Sequence, residues 1–163
     1  MNHMLYTRTP SPVGELLLVG EEHTLRGLYM DAQRWAPVVS SHWQSAREPF
    51  IAACSQLEEY FVGERRHFEL PLHLEGTPFR LRVWRALKEI PFGGTLSYGE
   101  IAAGIGTPGG ARAVGLANGR NPFSIILPCH RVIGSNRQLV GYGGGLDRKR
   151  QLLRHEADVL ARS

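Results

Sequence analysis

Cysteine is scarce in this sequence, whose 163 residues include only Cys54 and Cys129. The two are far apart and neither belongs to a C-x-x-C pair, so the sequence gives no support to a zinc ribbon, a thioredoxin-like motif or a disulfide-rich scaffold. A chain of this length can bury a core without metal or cross-links. A single disulfide between the two cysteines is formally possible, but the pattern favours a protein with reduced thiols.

Long apolar runs, internal repeats and low-complexity tracts are also absent. The N-terminus, MNHMLYTRTP, lacks the basic region followed by an apolar stretch that is typical of a secretory signal. No stretch is long and uncharged enough to predict a transmembrane helix. We therefore expect a soluble, non-exported, cytoplasmic protein that does not associate with membranes.

Basic residues dominate the second half of the chain, whereas Glu and Asp are relatively frequent in the first. The net charge of +4 and the isoelectric point near 9.4 are compatible with a polyanionic partner, although many basic proteins bind no nucleic acid. The basic residues considered are Arg112, Arg120, Arg131, Arg137, Arg148, Lys149, Arg150 and Arg154. We predict that this half of the chain faces DNA.

The first half reads as a small antiparallel sheet followed by a helix. Short β-like stretches in residues 4–30 are separated by turn sequences at hairpin spacing, and apolar residues in 50–61 recur at helical spacing. Residues 31–47 lack a period and are predicted to form a loop carrying Trp35 and Trp43. Cys54 is most simply a core residue of the helix. A predicted linker follows, and the domain boundary is expected within it, between residues 71 and 77. The predicted domains are therefore 1–75 and 76–163.

Three helix starts follow in the second half. Thr77 caps a helix whose apolar stripe continues to Ile90. Ser97 and Glu100 form a capping box, which predicts a helix that ends near Gly106. Thr107 and Pro108 then predict another helix, from 108 to 118. A helix pair with so short a turn resembles the helix-turn-helix used on duplex DNA, but such pairs are also common elsewhere.

The second helix of this pair, GGARAVGLANG, consists almost entirely of Gly and Ala, with Arg112 as its one long charged side chain. Such a surface permits close approach of another body. It could pack tightly against another helix. Alternatively, it could enter the minor groove, with Arg112 replacing a base that leaves the duplex.

Cys129 stands beside His130 after the apolar run 123–127 and Pro128. A thiolate is an effective nucleophile when a base or a positive charge lowers its pKa, and His130 is the obvious base. Neighbouring side chains of an extended chain point to opposite faces, so we expect a bridging water or a bent backbone. Glu156, on an amphipathic helix, could orient His130. The alternative is a buried thiol beside a surface imidazole.

The segment 141–145 reads Gly-Tyr-Gly-Gly-Gly and is not a phosphate-binding Walker loop, because no G-K-[ST] follows. Its glycines would let backbone donors approach a planar ligand, with Tyr142 as an apolar wall. A flipped base fits that description.

Several of these motifs together resemble the O6-alkylguanine-DNA alkyltransferase family, bacterial type. The motifs are Leu127-Pro-Cys-His-Arg-Val132, Asn118-Gly-Arg-Asn-Pro122, Ala111-Arg-Ala-Val-Gly115 and Gly141-Tyr-Gly-Gly-Gly145. The match is specific over 77–157 and looser over the N-terminal half. It implies an N-terminal α/β domain with a ribonuclease H-like fold and a mainly α C-terminal domain with a helix-turn-helix. The partner would be double-stranded DNA carrying O6-alkylguanine.

The resemblance also implies roles for individual residues. Cys129 would accept the alkyl group, His130 would act as a base through water with Glu156 as its partner, and Asn121 would be the hinge between the DNA-binding helix and the cysteine. Arg112 would replace the flipped nucleotide, and Tyr98 would rotate the phosphate and donate a proton. Further contacts to DNA would come from Ala113, Gly115 and Asn118. The base pocket would comprise Tyr98, Val132, Tyr142 and Gly143.

Two departures from the family limit these expectations. Some relatives bind zinc in the N-terminal domain, but Cys54 has no cysteine companion, so we expect no metal and no other cofactor. Some relatives have a hydroxyl residue at Gly143, where only a backbone contact is left. Non-catalytic relatives have Trp in place of Cys129, which favours a working acceptor here.

The expected reaction transfers one alkyl group irreversibly, since a thioether is not reversed by thiol exchange and no second cysteine can resolve it. The protein would act as a monomer in solution, and both cooperative assembly on DNA and acceptance of O4-alkylthymine are left open. A cysteine hydrolase using Cys129, His130 and Glu156 would instead turn over repeatedly. A lesion-binding module would need no chemistry and would survive Cys129→Ser.

Overall fold

The computed structural model describes residues 3–136 and 141–163. Its first half contains a four-stranded sheet in the order β3-β2-β1-β4, and the strands are β1 (Leu5–Thr9), β2 (Leu16–Gly20), β3 (Leu25–Met30) and β4 (Gln44–Ser45). The first three strands are antiparallel neighbours, as the turn spacing predicts. The two-residue β4 pairs parallel to β1 and lies within the segment predicted to be a loop. Such a short strand has no periodicity to detect, and its direction is set by the route of the preceding chain.

The helices are α1 (Ile51–Phe61), α2 (Pro78–Leu87), α3 (Tyr98–Gly104), α4 (Ala111–Gly119) and α5 (Leu146–Ala161), and a small parallel pair joins β5 (Leu96–Ser97) to β6 (Val132–Ile133). The predicted caps of two helices are observed. Thr77 Oγ1 accepts a hydrogen bond from Arg80 N, and Ser97 and Glu100 form the full capping box. None of the helices in the described ranges is long and apolar enough to cross a membrane.

Two predicted helix boundaries are wrong. Instead of reaching Ile90, α2 ends at Leu87, where tight turns lead into Pro91, a residue that disfavours helical backbone before it. Thr107 does not cap α4. Its carbonyl accepts a hydrogen bond from Gly110 N at 2.9 Å, closing a turn in which Gly109 has φ of +82°. That backbone conformation cannot belong to a right-handed helix, so α4 begins only at Ala111.

The two halves share one continuous core, and the sheet holds the segment that precedes Cys129. Leu28 N on β3 donates to Pro122 O at 2.8 Å, and Ser124 N donates back to Leu28 O at 3.0 Å. Both Leu28 and Phe123 are completely buried. The N-terminal sheet therefore fixes the position of the loop from which the cysteine emerges.

Candidate functional site

Cys129 lies on a single 3-10 turn, Cys129–Arg131, rather than on an extended chain. The preceding apolar run is folded by turns, with Leu127 N donating to Phe123 O at 3.0 Å and Ile125 at a φ of +72°. Of the two arrangements expected at Cys129, a bridging water or a bent backbone, the bent backbone after Pro128 is observed. The apolar composition reports burial and does not distinguish a strand from a compact loop.

Asn121 fastens both ends of this loop. Its Oδ1 accepts a hydrogen bond from Phe123 N at 2.9 Å, and its Nδ2 donates to Leu127 O at 2.9 Å and Phe123 O at 3.3 Å. The side chain is buried and follows the end of α4 by two residues. It therefore links α4 mechanically to the cysteine turn.

His130 and Glu156 are in direct contact. The imidazole Nε2 lies 2.7 Å from Glu156 Oε2, and both side chains are completely buried. This burial excludes the alternative of a surface imidazole. Since Nε2 faces a carboxylate, it carries the proton, and Nδ1 is left as the basic nitrogen. Within residues 3–136 and 141–163, Nδ1 has no hydrogen-bond partner.

The Glu156 carboxylate is surrounded by donors from three parts of the chain. Within the described residues, Oε1 accepts from Arg131 Nε at 2.8 Å and from Gly93 N at 3.0 Å. Oε2 accepts from Arg131 Nη2 at 2.9 Å and from the Tyr60 hydroxyl at 2.7 Å, besides its contact with His130. Burial alone would raise the pKa of Glu156, but hydrogen bonds from His130 and Arg131 and the charge of Arg131 lower it well below its usual range. Glu156 is therefore ionised.

The protonation states of His130 and Cys129 follow from burial. Desolvation lowers the pKa of His130 against the opposing attraction of Glu156, so the imidazole is neutral at pH 7. Desolvation raises the pKa of Cys129, while Asn121, Lys149 and Tyr142 act in the opposite direction. The resting side chain is therefore a thiol beside a neutral base, and deprotonation needs an acceptor such as His130 Nδ1.

Lys149 is part of the site, although the sequence places it only among the DNA-facing basic residues. It is completely buried on α5, and Nζ donates to the carbonyls of Val132 and Gly141. Burial lowers the pKa of Lys149 to about 8, and the attraction of an ionised Cys129 opposes that shift. An ammonium group is thus held near the thiol.

Sequence reasoning also missed Tyr60 and Arg131 as partners of Glu156. A signal was present for Lys149, because Lys149, Leu152, Glu156 and Val159 follow helical spacing and are the buried face of α5. A lysine within an apolar stripe indicates a buried cation. Tyr60 gave no such signal, since it falls on the apolar face of α1 where an aromatic residue is ordinary.

A cavity of about 620 Å³ lies in front of this cluster. The predicted site residues that line it are Tyr98, Ala113, Gly115, Asn118, Tyr142 and Gly143. Cys129 lies just behind the lining, and its carbonyl accepts a hydrogen bond from Asn118 Nδ2 at 3.4 Å. Val132 is completely buried, and its carbonyl is engaged by Lys149. Arg112 is exposed on α4 and is not part of the lining.

Two of the basic residues in the half predicted to face DNA are buried and do not contribute to its surface. Arg131 is buried against Glu156 and also donates to Ile90 O at 2.7 Å, and Lys149 is buried near Cys129. Arg148 is partly buried and donates to the Asp31 carbonyl. The exposed ones are Arg112, Arg120, Arg150 and Arg154, while Arg137 lies outside the described residues. Composition cannot separate a cation that pairs internally from one that faces solvent.

Comparison with known proteins assigns both halves of the chain to the same family. Residues 78–158 match the model of the DNA-binding domain of 6-O-methylguanine DNA methyltransferase, and residues 4–74 match that of its ribonuclease-like domain. The chain is 53% identical over 154 residues to a methylated-DNA–protein-cysteine methyltransferase of Mycobacterium tuberculosis, covering 94% of this chain and 93% of that protein. The corresponding values for the protein of the same name from Methanosarcina acetivorans are 51%, 94% and 98%.

Solved structures agree with the family models. The structure of Mycobacterium tuberculosis OGT in complex with DNA superposes with a TM-score of 0.91 at 51% sequence identity, and the match covers 95% of this chain and 94% of that one. The fold expected from the sequence, a ribonuclease-like N-terminal part followed by a helical DNA-binding part, is confirmed. This chain belongs to the 6-O-methylguanine DNA methyltransferase family.

Proposed function

We propose that this protein repairs alkylated DNA by moving an alkyl group from O6 of guanine in duplex DNA onto Cys129 in a single, irreversible turnover. The observation that carries the proposal is the thiol of Cys129 behind a cavity and beside a histidine whose tautomer is fixed by Glu156. Membership of the family supplies the substrate class. No cofactor is required, because the thiolate itself is the acceptor.

The first step removes the proton from the thiol. His130 Nδ1 is a free base in a neutral ring, and a water molecule between it and Sγ would carry the proton. The resulting imidazolium is stabilised by the ionised Glu156, and the thiolate is stabilised by the nearby ammonium of Lys149. Because burial raises the pKa of Cys129, the resting protein holds a thiol, and the thiolate forms as the proton passes to His130.

The second step is a displacement at the alkyl carbon. Sγ forms a bond to that carbon, the bond from carbon to O6 breaks, and the electron pair passes to the guanine oxygen. Tyr98, which lines the cavity, would donate a proton to the base to give neutral guanine, and the proton held by the His130 imidazolium would then restore the tyrosine. The thioether on Cys129 cannot be resolved by Cys54, which is buried on α1 in the N-terminal half.

The burial of Cys129 supports extrusion of the target base from the duplex. Only 5% of the residue is exposed, so a base that stays stacked between its neighbours cannot reach Sγ. We assign Ala113, Gly115 and Asn118 of α4 to the contact with DNA, Arg112 to the space vacated by the base, and Asn121 to the link between α4 and the cysteine. Tyr98, Val132, Tyr142 and Gly143 would enclose the extruded guanine.

The protein would act as a monomer in the cytoplasm, with domains of 1–75 and 76–163. This division places the DNA contact and the alkyl acceptor on one domain, while the sheet of the other supports the cysteine loop through Leu28.

Intact and peptide mass measurement after mixing with a duplex containing one O6-methylguanine tests the proposal. We expect a gain of one methyl group on Cys129 that stops at one equivalent. Cys129→Ser should abolish the gain, and Cys54→Ser is the matched control that should retain it. Repeated turnover with a free thiol would indicate a hydrolase, and binding without a change in mass would indicate a lesion-binding module. The same assay with O4-methylthymine measures the range of substrates.

A further inference from the structure

Trp35 has an unusual environment for a large aromatic residue. More than half of it, 54%, is exposed, and its φ is +67°, in the left-handed region. A bulky side chain in that region is strained and persists only where surrounding contacts hold it. Such outliers concentrate at functional sites, which directs attention to what Trp35 contacts.

Two guanidinium groups lie against the indole. The Arg120 guanidinium carbon is 3.8 Å from the ring centroid, and that of Arg34 is 5.3 Å away. Arg120 directly follows the last residue of α4, so the contact joins the N-terminal loop to the predicted DNA-binding helix. The stacking fixes the ring while leaving most of its surface accessible.

The two residues that precede Trp35 are hydrogen-bonded to segments of the candidate site. The side-chain oxygen of Gln33 accepts hydrogen bonds from Met30 N and from Ser124 Oγ, both at 2.8 Å. Arg34 N donates to Gly143 O at 2.8 Å. The Ser124 contact joins this segment to the cysteine loop and the Gly143 contact joins it to the glycine segment, so the chain that leads into Trp35 is attached to both.

Trp35 and Arg34 line the same cavity as Tyr98, Asn118 and Tyr142. A partly exposed indole combined with two cations is the chemistry that binds unpaired nucleotides, since the ring stacks on a base and the guanidinium groups attract its phosphate. Charge complementarity favours a nucleic acid over an apolar protein segment, because a peptide would have to desolvate both cations.

We infer that Trp35, held by Arg120, is a stacking platform for the damaged nucleotide as it passes from the duplex into the cavity. The N-terminal half would then contribute directly to the DNA interface, in addition to supporting the cysteine loop. The inference rests on the proposed function, since it assumes a base that leaves the duplex. Stacking is insensitive to base sequence, so the platform would act on lesions in any context.

The stacking platform is tested in the Cys129→Ser background, in which no alkyl group is transferred. Binding is measured to a matched pair of duplexes, one with O6-methylguanine and one with guanine. Trp35→Gly should weaken binding to the damaged duplex by about tenfold or more and leave binding to the undamaged duplex nearly unchanged. Trp35→Phe keeps a ring and should retain most of the affinity. Glycine suits the left-handed backbone, so Trp35→Gly should fold at least as stably, and its thermal midpoint checks this.

Tryptophan fluorescence gives a second readout, with Trp43→Phe as the control in the same segment. We expect quenching that is larger for the damaged duplex and that is lost in Trp35→Phe but kept in Trp43→Phe. Equal affinity losses on both duplexes, or full affinity in Trp35→Gly, would overturn the platform. The mass assay separates the two proposals. If the Trp35 variants bind DNA normally and methyl transfer to Cys129 is also normal, the platform is overturned and the proposed function is left intact.

Discussion

The hydroxyl of Tyr60 donates a 2.7 Å hydrogen bond to Oε2 of Glu156, joining α1 in the first half of the chain to α5 at its end. Both side chains are completely buried. The same carboxylate oxygen holds His130, so a residue of the N-terminal half sets the environment of the predicted catalytic base. The site is therefore a product of both halves, even though the proposed nucleophile, base and DNA contacts all lie in the second.

Removing the Tyr60 hydroxyl tests this link. Tyr60→Phe should lower the free energy of unfolding by about 1.5–3 kcal/mol, the usual contribution of a hydrogen bond to a charged group. Methyl transfer should also slow, and its pH dependence should shift, because Glu156 loses a donor. Denaturant unfolding and single-turnover kinetics measure the two effects. Tyr29→Phe, in β3, is the control, and a transfer profile identical to wild type in Tyr60→Phe would contradict the link.

The loss of folding stability at acidic pH should depend on Glu156. Its pKa is lower in the folded than in the unfolded protein, so its contribution to stability is present above the unfolded value and is lost as the pH falls below about 4.5 toward the folded value. Glu156→Gln should therefore be less stable at pH 7, by about 3–5 kcal/mol for a broken buried ion pair, and should lose less on acidification. Unfolding between pH 7 and 3 measures the slope. Asp158→Asn, on the exposed face of α5, should keep the wild-type slope.

Lys149 predicts a second rise of stability with pH, this time in the alkaline range. Its pKa of about 8 in the folded protein lies below the ordinary value of 10.5, so folding carries a cost while the ammonium is charged. That cost is relieved as the pH rises above 8, because the unfolded chain then binds more protons than the folded one. Lys149→Met should flatten this rise between pH 8 and 9.5 and should slow methyl transfer. Lys88→Met, at an exposed position, is the control, and equal slopes in the two variants would argue against a titrating Lys149.

The proposed close approach of α4 to DNA predicts that stability and binding change in opposite directions at Gly115. A Cβ added there meets only the Tyr98 ring, at an ordinary 3.8 Å, so Gly115→Ala is accommodated. Helix propensity should raise the stability by up to about 1 kcal/mol. The added methyl should nevertheless weaken DNA binding, measured as affinity for an undamaged duplex. Gly104→Ala on α3 has open space around the new Cβ and should leave affinity unchanged. Unaltered binding in Gly115→Ala would place the DNA elsewhere.

Methylation itself should destabilise the protein. Cys129 is almost completely buried, and an added methyl group has to displace its neighbours, at a typical cost of about 1–3 kcal/mol for an overpacked site. Thermal midpoints before and after reaction measure the effect. Equal midpoints for the two forms would show that the cavity accommodates the product.

Local signals in the sequence determined the elements whose cause is itself local. The capping box of Ser97 and Glu100, the Thr77 cap and the hairpin spacing of the first strands were readable because the interacting groups lie within a few residues of each other. The motifs around Cys129 likewise identified the family. Short-range chemistry of this kind needs no knowledge of the rest of the chain.

Only the tertiary structure decided the contacts that join distant parts of the sequence. The parallel β4, the compact loop before Cys129, the burial of Arg131 and Lys149, and the donor from Tyr60 each depend on elements that meet through folding. Whether a lysine lies in solvent or beside a thiol is set by what packs over it, and a residue's neighbours along the chain do not report that. The sequence therefore predicts the nucleophile, while the fold supplies the charges and hydrogen bonds that surround the Cys129 turn.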